Sequence, residues 1–318
     1  MDIYRSDRKM VLVALGGNAL IRRGDTPDIE TQERNAERTV NTLMGLVEHD
    51  YNIVITHGNG PQVGNLLLRN DMSKDKLPFM PLDVLVAETE GSMGYLLQQA
   101  LLNQLRRASV HRYVVTMITQ VLVDPNDPAF ARPSKPIGMF YSKEEAEELE
   151  KTYHWNMIED SGRGYRRTVP SPRPLKVIQR HMVRHLAVEG NIVIAGGGGG
   201  IPIMIKEGNY EGIEAVIDKD LTSAVLANDI KADILVILMP EPQVFAHYGK
   251  PNQRPLDQLS LSQMKDYLAE GHFPPGSIGP KVEAAIGFVE RGGSRAIITN
   301  DESLRDALEG KAGTHILR

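Results

Sequence analysis

The sequence predicts an α/β protein, a three-layer αβα sandwich with helices on both faces of a mainly parallel sheet. Short apolar runs rich in β-branched residues alternate along the chain with segments of helical periodicity. Strands of a parallel sheet are buried on both faces and therefore read as nearly continuous apolar runs. The length of 318 residues allows either one large sheet with insertions or two domains.

Six apolar runs are the candidate strands of the sheet. They are MVLVAL at residues 10–15, YNIVIT at 51–56, YVVTMIT at 113–119, NIVIA at 191–195, DILVIL at 233–238 and RAIIT at 295–299. The stretch VIDKDLTSAVLA at 216–227 is interpreted as the end of another apolar strand, followed by a helix.

Three further segments have the pattern of helices that cover the sheet. Between the first two strands, Ala36, Val40, Leu43 and Val47 recur at steps of four, three and four residues, which places them on one helix face. Other helices are predicted within VLVAETEGSMGYLLQQALLNQLRRA and within GPKVEAAIGFVERGG, whose glycine pair suits a helix C-cap.

The segment from residue 124 to residue 174 interrupts this alternation. It contains seven of the 19 prolines, a charged helical piece, YSKEEAEELEKTYH, and the polar stretch EDSGRGYRRTV. Because proline fixes φ and removes a backbone donor, this segment is stiffened differently from the core. We interpret residues 124–174 as a small, lid-like subdomain that projects from a single domain spanning residues 1–318.

The composition narrows the class of function. A net charge of -5 argues against a general nucleic-acid surface, so an anionic ligand has to be bound by local lysines. No apolar run approaches the roughly 20 residues that cross a bilayer. The absence of cysteine excludes disulfides and thiolate chemistry. We expect a cytoplasmic protein that binds neither nucleic acid nor a membrane.

Three glycine-rich turns follow candidate strands and form the first part of a candidate site. They are ALGGNAL at 14–20, THGNGPQ at 56–62 and AGGGGGIP at 195–202. One such turn is a weak indication, and neither the P-loop motif nor the dinucleotide fingerprint is present. Three turns at the carboxyl ends of strands in one sheet converge on the crevice where open α/β folds bind ligands, and they predict an anion cradle.

Two lysines are the candidates for binding the charge of a phosphate. Lys219 lies between Asp218 and Asp220, and Lys281 lies at the predicted start of a helix in PPGSIGPKVEAA. A helix N-terminus stabilises an exposed anion by only about 0.3–1 kcal/mol, so we expect the lysines to dominate and Asp220 to hold one or both in place. A solvated turn with an exposed ion pair is equally compatible with the spacing alone.

Other polar patterns are less informative. His181 and His185 fit a polar helix face better than a metal site, and Ser161 has no evident histidine and aspartate partners for a hydrolase triad. An arginine cluster in RGYRRTVPSPRP is either a solvated patch or a group that approaches an anionic ligand. Its members are Arg163, Arg166, Arg167 and Arg173.

In their order along the chain, these motifs resemble the amino-acid kinase family, and within it the carbamate kinases. The resemblance covers nearly the whole chain through segments such as ALGGNAL, THGNGPQVGNLL, PLDVLVAET, EAVIDKDLTSAVLA, PGSIGPKVEAAI and GKAGTHI. A colinear set is far more specific than any one motif. PSKPIG and DSGRG point to the carbamate kinases rather than to the acetylglutamate or nucleotide kinases of the family.

The resemblance implies an eight-stranded, mostly parallel sheet, a homodimer, and reversible phosphoryl transfer between ATP and carbamate with Mg²⁺, giving ADP and carbamoyl phosphate. Lys219 and Lys281 would stabilise the transferring group, Asp220 would organise them, and Lys135 would reach over the site from the subdomain. No residue is assigned to a metal. Because carbamate is already an oxyanion, no general base is needed.

The resemblance also assigns residues to each side of the site. The substrate-binding residues would be Gly16, Gly17, Asn18, Gly58, Asn59 and Gly60. The nucleotide-binding residues would be Gly197, Gly198, Lys219, Tyr248, Gly276, Ser277 and Lys281.

Two departures from the family pattern fall on the nucleotide side. After DILVIL the family usually continues with T-D-V, whereas this chain has MPEP at residues 239–242, and Ile278 stands where methionine is frequent. Two prolines remove two backbone donors, and Glu241 is a candidate replacement for the missing carboxylate. Two other functions stay open: a kinase of the same fold for another carboxylate, and a non-catalytic sensor of nucleotide or carbamoyl phosphate.

Overall fold

A computed structural model describes residues 8–16, 19–22, 24–160, 162–274 and 278–318. The helices of this part of the chain are α1 (Ile29–Glu48), α2 (Gly60–Ser73), α3 (Leu82–Arg107), α4 (Lys143–Tyr153), α5 (Arg180–Val188), α6 (Lys219–Asp229), α7 (Leu261–Ala269), α8 (Ile278–Glu290) and α9 (Leu304–Leu308). None of the helices described combines the length and the apolar character that a bilayer span requires.

The strands of the described residues are also numbered in chain order. They are β1 (Met10–Leu15), β2 (Asn52–His57), β3 (Val114–Thr116), β4 (Gln120–Val123), β5 (Lys135–Tyr141), β6 (Asn156–Glu159), β7 (Tyr165–Val169), β8 (Pro174–Val177), β9 (Ile192–Ile194), β10 (Ile201–Lys206), β11 (Asn209–Gly212), β12 (Ile234–Leu238), β13 (Val244–Ala246), β14 (Arg254–Leu256), β15 (Gln258–Ser260), β16 (Arg295–Thr299) and β17 (Thr314–Leu317).

The main sheet has eight strands in the order β15-β17-β16-β12-β1-β2-β9-β3. All of its neighbouring pairs are parallel except β16 with β17. The strands β17 and β15 therefore run opposite to the other six. The eight-stranded, mainly parallel sheet predicted from the family resemblance is confirmed.

Helices cover both faces of this sheet and bury its alternate side chains. On one face Leu12 and Ala14 of β1 pack in a cluster with residues of α5, α6, α7 and α8. On the other face Val11 and Val13 pack with residues of α1, α3 and α9. The helix face predicted from its periodicity includes Val40, which is fully buried in this second cluster. The three-layer sandwich is confirmed.

The described residues also form three smaller sheets, one of which is the antiparallel pair of β13 and β14. A four-stranded sheet has the order β11-β10-β4-β8, and a three-stranded antiparallel sheet has the order β5-β7-β6. The three-stranded sheet, together with α4, accounts for the regular structure between residues 131 and 173. The helical pattern in YSKEEAEELEKTYH forms α4, which begins with a capping box at Ser142 and Glu145.

Most of the predicted strands match the structure to within a residue at each end, but two predictions were wrong. The run at 113–119 is a strand only over Val114–Thr116, because the N–H of Thr119 turns to the carboxylate of Glu90. The apolar run before Asp218 is not a strand. Val216 donates its N–H to the carbonyl of Pro170, which has no N–H with which to return the hydrogen bond of a ladder.

Candidate active site

The three glycine-rich turns meet at one edge of the main sheet. They follow β1, β2 and β9, which are neighbours in that order and run parallel. This edge therefore carries Gly16 after β1, Gly58 and Asn59 after β2, and the glycine run after β9. Four of the assigned residues lie outside the described part of the chain. They are Gly17, Asn18, Gly276 and Ser277.

The glycine run is required by close packing against the neighbouring turn. A Cβ atom on Gly197 would lie 2.5 Å from the Nε2 atom of His57, and one on Gly198 would lie 2.2 Å from the Nδ2 atom of Asn59. Gly198 also has a φ of +65°, which disfavours any side chain. Asn59 in turn donates from Nδ2 to the Oγ1 atom of Thr89 at 2.8 Å, so its amide group is fixed by α3.

Asp220 joins the two predicted lysines. The Nζ atom of Lys219 lies 2.7 Å from Oδ1 of Asp220, and the Nζ atom of Lys281 lies 2.9 Å from Oδ2. Lys219 also donates to the carbonyl of Ala14, at the end of β1, at 3.4 Å. Lys219 and Asp220 are only 7% and 3% exposed, which excludes the solvated turn that the spacing alone had left open.

Asp218 has a different role from Asp220. Its Oδ1 atom accepts hydrogen bonds from the N–H groups of Asp220 and Leu221 and so caps α6. Its Oδ2 atom forms an ion pair with the Nζ atom of Lys135 at 2.5 Å. The side chain of Lys135, at the start of β5, therefore reaches the N-terminus of α6.

Burial and charge act against each other in this cluster. Burial would raise the pKa of Asp220, but the ammonium groups of Lys219 and Lys281 outweigh it and lower the pKa. Burial lowers the pKa of Lys219, and the carboxylate of Asp220 only partly opposes the effect. Burial also opposes the charge of Lys281, but the Asp220 carboxylate outweighs it and raises the pKa. The site therefore retains positive charge at its base.

Sequence reasoning missed a buried polar group behind the glycine run. Glu90 of α3 is 1% exposed. Its carboxylate accepts hydrogen bonds from the backbone N–H and the hydroxyl of Thr119, both at 2.7 Å. The same hydroxyl accepts from the N–H of Gly196 at 2.7 Å. Burial raises the pKa of Glu90 to about 8 and, with the nearby charge of Lys219, lowers the pKa of His57 to about 4.

The position of Glu90 within its helix was the signal that could have revealed it. It shares the inward face of α3 with Val86 and Met93, which are 0% and 1% exposed. A charged residue in such an apolar stripe is rare unless it has partners in the core.

A small cavity lies on the predicted nucleotide side. Tyr248, assigned to the nucleotide, lines it, and so do both departures from the family pattern, Glu241 and Ile278. The remaining lining residues are Gln243, Val244, Phe245, His272, Phe273 and Pro274. Its walls are largely apolar and aromatic.

The four arginines of the predicted cluster form ion pairs with carboxylates of the same chain. The structure pairs Arg163 and Arg166 with Asp160, Arg167 with Asp71, and Arg173 with Glu283. Ser161 lies outside the described residues. His185 pairs with Glu189, the C-cap residue of α5, and no group of three metal-ligating side chains occurs among the residues described.

The comparison with known proteins agrees with this geometry. The model of the amino acid kinase family matches residues 9–300. The chain belongs to the amino acid kinase family. A carbamate kinase from Thermococcus kodakarensis is 48% identical over 98% of this chain and 99% of its own length. The carbamate kinase-like protein YahI from Escherichia coli is 46% identical over 98% of this chain and 99% of its own length.

Solved structures give the same result for the fold. The carbamate kinase of Giardia lamblia bound to citric acid superposes with a TM-score of 0.95 at 39% identity, over 98% of this chain and 99% of that one. The same enzyme bound to AMP-PNP superposes with a TM-score of 0.90 at 40% identity, over the same shares of both chains.

Proposed function

We propose that this protein is a carbamate kinase, which transfers a phosphoryl group reversibly between ATP and carbamate. The observation that carries the proposal is the convergence of Lys219 and Lys281 on the buried carboxylate of Asp220, beside the glycine-rich turns. Full-length relatives at 45–48% identity bear the name carbamate kinase.

Lys219 and Lys281 supply the positive charge that phosphoryl transfer requires. The carbamate oxygen forms a bond to the γ-phosphorus as the bond from that phosphorus to the ADP oxygen breaks, and no proton has to move. Charge spreads over the equatorial phosphoryl oxygens, where Lys219 and Lys281 stabilise it. The negative charge of an incoming phosphoryl group would also raise the pKa of Lys219 and so oppose the effect of burial.

We assign Mg²⁺ to the phosphates of the nucleotide rather than to a cage of protein ligands. Both oxygens of Asp220 face lysines, and those of Asp218 face Lys135 and the backbone of α6. Mg²⁺ usually keeps several waters and binds to substrate phosphates, so it would not require the paired carboxylates of Asp218 and Asp220 as its main ligands. The ion would supply further neutralisation of the phosphate charge.

On the substrate side we assign the glycine-rich turns of residues 16–18 and 58–60, with Lys135 reaching over them. The insertion of residues 124–174 would act as a lid, because Lys135 belongs to it and touches the cap of α6. On the nucleotide side we assign Gly197, Gly198, Gly276 and Ser277, with Tyr248 and Glu241 at the cavity.

We also propose a homodimer formed through α3 and the edge strand β3. Tyr95 and Leu102 lie two turns apart on the outer face of α3, and Tyr113 and Ile118 flank β3; all four are at least 41% exposed. Exposed apolar side chains beside an edge strand are typical of an interface. Light scattering should then give twice the chain mass of 35.2 kDa. A cytoplasmic location stays a prediction from the sequence.

The test is a panel of acceptors offered with ATP and Mg²⁺. We expect phosphoryl transfer to carbamate and none of comparable rate to acetylglutamate, aspartate or UMP. Faster transfer to one of the other acceptors would favour a different acylphosphate-forming kinase. Binding of ADP without any transfer would favour the sensor, for which the MPEP sequence at residues 239–242 is the motivation.

A further inference from the structure

The insertion packs along α2 with no space between the two backbones. A Cβ atom on Gly64 of α2 would lie 2.0 Å from the Cα atom of Gly138 in β5. No side chain separates helix from strand here, so the strand follows the helix closely. The helix begins at Gly60, in the turn assigned to the substrate.

Asp71 fastens this contact seven residues further along α2, on the same face of the helix. Its Oδ2 atom accepts hydrogen bonds from Nε1 of Trp155 at 2.9 Å and from Nη1 of Arg167 at 3.2 Å. The guanidinium of Arg167 lies over the Trp155 ring, 4.4 Å from its centroid. Trp155 is only 6% exposed. We call Asp71, Trp155 and Arg167 the α2 clamp.

The α2 clamp is connected to Lys135 by the register of the subdomain sheet. β7 pairs with β5 so that Arg167 lies opposite Ile137, and Val169 lies opposite Lys135. The position of Arg167 therefore constrains the strand that carries Lys135. On the far side of the crevice, Lys135 itself is held by Asp218.

The two attachments differ in the number of donors that hold them. Lys135 and Asp218 form one ion pair, with side chains 26% and 18% exposed. Asp71 accepts from two donors, and its own side chain is 12% exposed. An incoming phosphate can therefore replace the single carboxylate partner of Lys135 while both donors of Asp71 stay in place.

We propose that Asp71 is a positioning residue for phosphoryl transfer. Through the α2 clamp it fixes the insertion on α2, so that Lys135 stays over the crevice when its ammonium group leaves Asp218 for the substrate. Asp71 touches neither substrate nor nucleotide, and it acts only through Arg167 and Trp155. This inference rests on the proposed role of Lys135 in binding carbamoyl phosphate.

Asp71→Asn tests the proposal, because it keeps an acceptor for Trp155 and removes the charge that faces Arg167. We expect the KM for carbamoyl phosphate to rise by at least about tenfold, the range for loss of a charged hydrogen bond, with the KM for ADP nearly unchanged. Asp75→Asn is the matched control, since Asp75 lies exposed in the turn after α2. It removes the same charge and should leave both constants unchanged.

A second readout needs no turnover. Trp155 is the only tryptophan of the chain, so its fluorescence reports the clamp directly. Asp71→Ala should shift its emission to the red, and Asp75→Asn should not. Should the wild-type protein show no phosphoryl transfer, the proposed function fails, and the dissociation constant for carbamoyl phosphate from calorimetry replaces KM in the same comparison.

Three results would overturn the proposal. One is wild-type affinity for carbamoyl phosphate in both Asp71 variants. Another is an equal loss of affinity for both substrates in step with a lower Tm, which indicates general destabilisation. The third is unchanged Trp155 emission in Asp71→Ala, because the clamp would then not depend on Asp71.

Discussion

Asp218 and Asp220 are two residues apart, yet they do different work at the site. Asp218 caps α6 and holds Lys135, whereas Asp220 lies between the ammonium groups of Lys219 and Lys281. Removing one member of a buried charge cluster typically costs about 3–5 kcal/mol, because the remaining charge is left uncompensated. The motif D-K-D thus combines a helix cap with one cation, Lys219, and with the carboxylate that joins it to Lys281.

Lys135→Ala should separate substrate binding from nucleotide binding. Because Lys135 reaches the site from the subdomain, we expect its loss to raise the KM for carbamoyl phosphate by about tenfold or more and to change the KM for ADP little. Steady-state kinetics with each substrate varied in turn measures both. Lys151→Ala, on the exposed face of α4 in the same insertion, is the control. Equal damage to the two constants would contradict a substrate-side lid.

Glu90→Gln should change how stability depends on pH. The pKa of Glu90 is raised from 4.5 to about 8 by burial, so the folded protein holds this proton more tightly than the unfolded chain does. Stability from this group is complete below about pH 4.5 and is lost as the pH rises to about 8. Since one pKa unit equals about 1.4 kcal/mol, the wild type should lose a few kcal/mol more than Glu90→Gln over this range.

Urea unfolding from about pH 5 to about pH 8 measures this difference. Glu88→Gln, two residues away on the exposed face of α3, controls for the loss of a surface charge. Parallel curves for the wild type and Glu90→Gln would show that Glu90 does not titrate in this range.

At the scale of elements, the contact between α2 and β5 depends on a residue without a side chain. In Gly64→Ala the new Cβ atom has to displace the backbone of Gly138, and such overpacking usually costs about 1–3 kcal/mol. We expect a lower free energy of unfolding and faster proteolysis within residues 124–174. Gly45→Ala in α1 meets its nearest atom at 4.0 Å and should be neutral or stabilising by up to about 1 kcal/mol. Similar behaviour of the two variants would contradict tight docking.

The strands were largely predictable from the sequence, because a strand that is buried on both faces of the sheet consists of a nearly continuous run of apolar residues. The runs at 10–15 and 295–299 match β1 and β16 residue for residue. The strand predicted before Asp218 was wrong, because the apolar residues there are buried without pairing in a strand ladder. Apolar composition reports burial, and burial alone does not require a strand.

At the scale of the whole molecule, the site is assembled from segments that are distant in sequence. The convergence of the glycine-rich turns follows from adjacent parallel strands, and such strands can be recognised in the sequence. The meeting of Lys219 with Lys281 came from the family resemblance. Two other contacts could not be predicted from the sequence, because the residues around each partner do not indicate which distant residue it meets. They are Glu90 with Thr119 and Asp71 with Arg167.

The central claim is that Lys219 and Lys281 together stabilise the phosphoryl group in transit. Its most direct test is the kcat for ATP formation from ADP and carbamoyl phosphate, both saturating, in the wild type and in Lys219→Ala. We expect the variant to fold and its kcat to fall by at least about a hundredfold, as for loss of a preorganised charge at a reacting centre. A kcat close to that of the wild type would contradict the claim.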